Sequence, residues 1–220
     1  YYTSYFIKTG IFLEEAKKHI IPPSQSFVLP KNLENIINLL REISFNIHFI
    51  QINSLKEKIK EFKKKELLME KNIPFFAIYS YIQEEYARLE QNIFGDINIL
   101  EWLFEKGHYT QVLLLLEEEI IDKLANQDKK GEWEERKRTR QALNMEKQIF
   151  SNHPIIKVWV KVNKLRNSVA HCGFVESTKI IPENTIKKIK EAIGEYKKID
   201  DEIFISLRKE LKKFKNLKHE

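Results

Sequence analysis

The chain is predicted to be all-α, a helical bundle with long antiparallel helices. Three observations carry that expectation. The 220 residues include only 6 Gly and 6 Pro, so turn punctuation is sparse. From Leu33 onward, apolar residues recur at Ile36, Ile37, Leu40, Ile43, Ile47, Ile50, Leu55, Ile59 and Phe62, which is helical spacing over many turns. Nowhere does a period of two persist, so no strand is expected, and no internal repeat is found.

The elements follow in order. Residues 3–20 read as a short amphipathic helix stopped by Pro22-Pro23. Residues 1–31 together are an N-terminal helix and linker, a candidate seam to an upstream domain, and residues 32–220 form the main domain. The apolar run from Leu33 predicts one long core helix or a helix pair. Pro74 suits the first turn of another helix running toward Phe94, closed by Gly95-Asp96. A further helix covers Ile99 to Phe104 and ends at Lys106-Gly107-His108, where Gly107 supplies the left-handed cap. Tyr109 to Leu124 is helical, with acids at 117–119. Residues 126–140 are expected to be an exposed connection, too polar for the core. A helix over Pro154 to Ala170 follows, Gly173 can end it, and one Lys-rich amphipathic helix closes the chain.

With 42% hydrophobic and 32% charged residues, the composition is that of a folded domain. A single cysteine, Cys172, excludes an internal disulfide and a multi-cysteine metal site, and favours a reducing, cytoplasmic compartment. The formal charge of +6 permits a polyanionic partner without requiring one, because 38 basic residues are interleaved with 32 acidic ones. No segment has the apolar length of a membrane span. The six histidines lack metal-ligand spacing, and no Gly-rich phosphate loop precedes a helix, so no metal or cofactor is expected in this chain.

The chemistry concentrates in Arg166-Asn167-Ser168-Val169-Ala170-His171. Histidine suits proton transfer because it titrates near neutrality. Arginine suits a phosphate because its planar fork donates two hydrogen bonds at fixed charge. Asn167 and His171, four apart, share a helix face, whereas Arg166 lies roughly 140° from His171 on an ideal helix. One copy of this helix therefore does not aim both side chains at one phosphate, which favours a site assembled from two chains. A similar spacing occurs at Arg41 and His48, where Glu42 and the regular apolar repeat point to an ordinary helix face. Cys172 points about 100° from its neighbour His171 on a helix and is set aside as a nucleophile. Arg136, Arg138 and Arg140 are candidates for tracking an RNA backbone.

Leu165 to His171 resembles the Arg-polar-x3-His signature of HEPN ribonucleases. Glu101-Trp102-Leu103-Phe104-Glu105-Lys106-Gly107-His108-Tyr109-Thr110-Gln111-Val112-Leu113 resembles a segment of the CRISPR-associated type III ancillary ribonucleases, in which a HEPN domain follows a CARF sensor domain. The resemblance implies a homodimer that cleaves single-stranded RNA without metal. Arg166 would hold or polarise the scissile phosphate, His171 would act in proton transfer or transition-state stabilisation, and Asn167 would position one of them. It also implies a cyclic oligoadenylate activator on an upstream domain, since this chain shows no alternating β–α pattern of its own. Two alternatives stand beside it. One is a HEPN toxin paired with an antitoxin; the other is a catalytically silent helical scaffold that binds RNA or protein.

Overall fold

A computed structural model describes residues 31–65, 74–91, 96–125, 132–146, 149–170 and 182–217. These residues form nine α-helices and no strand: α1 Lys31–His48, α2 Ile52–Lys63, α3 Pro74–Gln91, α4 Asp96–Glu105, α5 Tyr109–Leu124, α6 Glu132–Glu146, α7 Pro154–Ala170, α8 Pro182–Tyr196 and α9 Asp201–Leu217. The fold class is all-α, as the apolar periodicity predicts. No helix among them is long and apolar enough to cross a membrane. The expected helix over residues 3–20 and its linker lie outside the described residues, except that Lys31 opens α1.

The chain divides into two compact units after His108. In the first, α1 packs on α2, α2 on α3, and α3 on α4. The apolar run from Leu33 is a helix pair, and the physical reason for the break lies at Ile50. Its φ of 54° places a β-branched residue in the left-handed region. Around it, the Gln51 amide donates to the Asn46 carbonyl at 2.9 Å and the Ile50 amide to Ile47 at 3.4 Å. These two bonds form a Schellman closure of α1. Gly107 makes the same closure at the end of α4, with φ 78° and bonds from His108 to Leu103 at 2.8 Å and from Gly107 to Phe104 at 3.0 Å. There the residue type fits the conformation, as expected from the sequence.

Among the described residues, the core of this unit holds one buried charge. The Glu85 carboxylate, 5% exposed, accepts from Trp102 Nε1 at 2.9 Å and pairs with Lys106 Nζ at 2.7 Å. Burial pushes this carboxyl upward, but Lys106 and Trp102 outweigh it and hold it below its ordinary value. Trp102 and Lys106, two residues of the stretch that resembles the ancillary ribonucleases, thus have a structural occupation inside this unit.

In the second unit α5 is the central helix, packing on α6, α7, α8 and α9. Its apolar residues Val112, Leu113, Leu116, Ile120, Ile121 and Leu124 are buried, as are Ile155, Ile156, Val158, Trp159, Val162 and Leu165 of α7. Two expectations need correction. Residues 132–146 are a helix rather than part of an exposed connection. The sequence is polar, but Thr139 and Leu143 are buried and two arginines of this helix are anchored on α5 carboxylates. The Lys-rich end of the chain is two helices, α8 and α9, separated at Lys197–Asp200, where the buried Ile199 ends one apolar stripe before Phe204 and Leu207 begin the next. Ile189, Ala192, Ile193 and Tyr196 of α8 are buried where it packs on α7 and α5, and Phe204, Leu207 and Leu211 of α9 where it packs on α5 and α6.

Candidate functional site

Arg166 lies in the penultimate turn of α7, a helix that is continuous from Pro154 to Ala170. Pro154 occupies the first helical position, where its missing N–H costs nothing, and His153 caps it. The Nδ1 of His153 accepts a hydrogen bond from the Ile155 amide at 3.3 Å. Burial holds this imidazole below its ordinary pKa, against a small opposing pull from Glu210. Downstream, Val158, Trp159, Val162 and Leu165 face the core, which sets Arg166 at its margin.

The guanidinium of Arg166 is held from behind. Its Nη1 donates to Oε2 of Glu117, a carboxylate on α5 that is only 1% exposed, while Arg166 itself is 33% exposed. Its Nη2 donates to Oδ1 of Asn167 at 3.3 Å. A buried carboxylate without a cation would be strongly unfavourable, so Glu117 and Arg166 fix each other. Asn167 is exposed and sits beside the outer edge of the guanidinium. His171 lies outside the described residues, as do Cys172 and Gly173.

The three arginines proposed to track RNA separate in the structure. Arg140 joins the Arg166 cluster: its Nε lies 3.4 Å from Oε1 of Glu117, and its Nη2 donates to Glu118. Arg136 is committed to Glu118 and Asp122. Burial works against its charge, but the two carboxylates hold it cationic, above the ordinary guanidinium value. Arg138 is exposed on the same helix, away from this network. Three acids of α5 (Glu117, Glu118 and Asp122) therefore balance three arginines drawn from α6 and α7.

The alternative pair, Arg41 and His48, lies about two helical turns apart on one side of α1. Arg41 is exposed on α1 and lines a cleft of about 710 Å³ with Asn38, Glu42, Phe45, Asn46, Ser54 and Lys58. His48 does not line this cleft, and its Nδ1 lies 3.1 Å from the Ser44 carbonyl, which accepts from that nitrogen when it is protonated. Its ring meets that of His108 edge-on, with centroids 6.5 Å apart. Among the described residues no three His, Cys, Asp or Glu side chains converge as metal ligands.

Sequence reasoning missed Glu117. The signal was present, because Glu117 falls four residues after Leu113 and four before Ile121, on the apolar stripe of α5. A charged residue at a core register position requires a partner from elsewhere, and the arrangement supplies two. Chemically, the cluster is a pair of partly exposed guanidiniums set on one buried carboxylate, capable of donating outward to an anion. No protein-family model, curated protein or solved structure matches this chain.

Proposed function

We propose that the chain is a metal-independent endoribonuclease of the HEPN type that cleaves single-stranded RNA, with Arg166 and His171 of two copies forming a composite site. The observation that supports this is the buried Glu117, which fixes the guanidinium of Arg166 beside Asn167, five residues ahead of His171. Arg166 donates to a non-bridging oxygen of the scissile phosphate and stabilises the charge that gathers there in the phosphorane. His171 removes the proton of the 2′-hydroxyl as that oxygen bonds to phosphorus. The P–O5′ bond then breaks, and the departing oxygen takes a proton from a second imidazole, that of the other copy. The products are a 2′,3′-cyclic phosphate and a 5′-hydroxyl. In the reading drawn from the resemblance, this chemistry serves CRISPR type III antiviral defence in the cytoplasm. A cyclic oligoadenylate on an upstream sensor domain controls it.

A second reading is favoured by one observation. Arg136, Arg140 and Arg166 are all ion-paired with carboxylates of α5, so their charge is already compensated, as in a silent helical scaffold. One assay separates the two. Labelled single-stranded RNA is incubated with the wild-type chain, Arg166→Ala and His171→Ala in EDTA. The wild type is expected to cleave at its metal-free rate, and each variant to lose about 10²–10⁴-fold. Cleavage at wild-type rate by both folded variants overturns the proposal; salt-sensitive binding without cleavage by any of the three supports the scaffold.

A further inference from the structure

We infer that Arg140 is a second phosphate-binding residue of this site, and that Glu117 is the positioning residue that sets its guanidinium beside that of Arg166. The inference rests on the ribonuclease reading and extends it to a residue on a different helix.

Glu117 presents one oxygen to each arginine. Oε2 takes the Arg166 bond, and Oε1 faces Arg140 Nε at 3.4 Å. A phosphodiester offers two non-bridging oxygens at nearly the spacing of a carboxylate, so two guanidiniums already spaced on a carboxylate suit one phosphate on their outer edges. Both arginine side chains are partly accessible, Arg140 39% and Arg166 33% exposed, whereas Glu117 is sealed behind them.

A purely structural ion pair would be closed, and this one is not. Glu117 Oε1 and Arg140 Nε are both buried, and neither makes a hydrogen bond among the described residues, though they face each other. Besides facing Glu117, Arg140 donates a hydrogen bond to Glu118, whose side chain is 46% exposed. Glu118 also accepts from Arg136 and is partly exposed, so an arriving phosphate can replace it as the partner of Arg140 without stranding a charge. Charge then balances locally. Two guanidiniums face Glu117 and one phosphodiester anion, and Glu118 keeps its pair with Arg136.

The test uses the full chain and a single-stranded RNA whose cleaved linkage has been mapped. That linkage is made as the Rp or Sp phosphorothioate for cleavage, and with a 2′-O-methyl group for binding. Arg140→Ala is expected to weaken binding of the 2′-O-methyl RNA about tenfold or more, the value of one charge-assisted hydrogen bond. It is also expected to shrink the rate difference between the two diastereomers. Arg140→Lys should recover binding but not the stereochemical preference, because an ammonium lacks the fork. Glu117→Gln should shrink the same preference even though it makes the chain more positive; a merely electrostatic role would tighten binding and leave the preference intact. Glu118→Gln should tighten binding in the wild type and not in the Arg140→Ala background. If Arg140→Ala fails to fold, Arg140→Lys and Glu118→Gln decide. Wild-type binding and preference in the Arg140 variants, with cleavage lost in Arg166→Ala, overturn this inference and leave the ribonuclease reading standing. Wild-type cleavage in both Arg166→Ala and His171→Ala removes the reading beneath it.

Discussion

If Glu117 and Arg166 fix each other, removing both must cost less than the two single changes suggest. Arg166→Leu leaves Oε2 of a carboxylate that is 1% exposed facing no hydrogen-bond donor. Stranding a fully buried charge costs about 3–5 kcal/mol. The remaining Arg140 at 3.4 Å offsets part of this, so about 2–3 kcal/mol is expected. Glu117→Leu strands two guanidiniums that water already reaches, and about 1–2 kcal/mol is expected. The double variant places two leucines against an apolar stripe and leaves Arg140 its bond to Glu118, so its cost should be near 1 kcal/mol. The coupling between the two sites is then about 2 kcal/mol or more. Urea titrations of the four proteins, followed by circular dichroism, measure it directly. For a unit of this size Arg166→Leu alone should lower the thermal midpoint by about 10 °C. A coupling under about 0.5 kcal/mol would refute the claim that the pair is mutually fixed. The same numbers explain why the loss of cleavage in Arg166→Ala must be read together with a melting curve.

Two further outcomes are expected. Ile50→Gly should stabilise the first unit by about 1 kcal/mol, because glycine adopts φ 54° without the clash that a β-branched residue carries there; a lower urea midpoint would show that packing of the half-buried Ile50 outweighs the strain. The His153 cap carries a pH dependence. Burial depresses its folded pKa below the unfolded value near 6.5, so its contribution is fully present above that value and lost as pH falls through the folded pKa. His153→Asn keeps an acceptor for the Ile155 amide and should flatten the stability of the second unit as pH falls below about 6.5; an unchanged pH profile would remove His153 as the cause.

The helices were legible wherever the periodicity and its punctuation agreed. Tyr109–Leu124 and Pro154–Ala170 occur over the ranges read from the sequence, and Gly107 adopts the cap expected of it. The break between α1 and α2 was not legible, since isoleucine is among the last residues expected at positive φ. Helix α6 was misread because its attachment is ionic and tertiary, and composition reports only apolar burial. The Arg166 cluster was legible only in part. Local pattern singled out Arg166 and Asn167, but their support comes from Glu117, 49 residues away in sequence. Among three arginines of one segment, no local property distinguishes Arg140, beside Glu117, from Arg138 in solvent. Only the register of α5 against α6 does so.

The polarity of α6 has a consequence for how the second unit moves. Among its described side chains only Thr139 and Leu143 are buried, and its remaining hold on α5 is electrostatic. Such a helix should be the part of the unit most sensitive to ionic strength, since screening at molar salt contracts to about 3 Å and weakens partly exposed pairs first. Its amides should exchange with deuterium sooner than those of α5 or α7 as salt rises. A polyanion competes for the same arginines as the acids of α5 do, and at far higher local charge density than a dissolved ion. The latch that keeps α6 seated is therefore one that a polyanion, if bound there, would loosen.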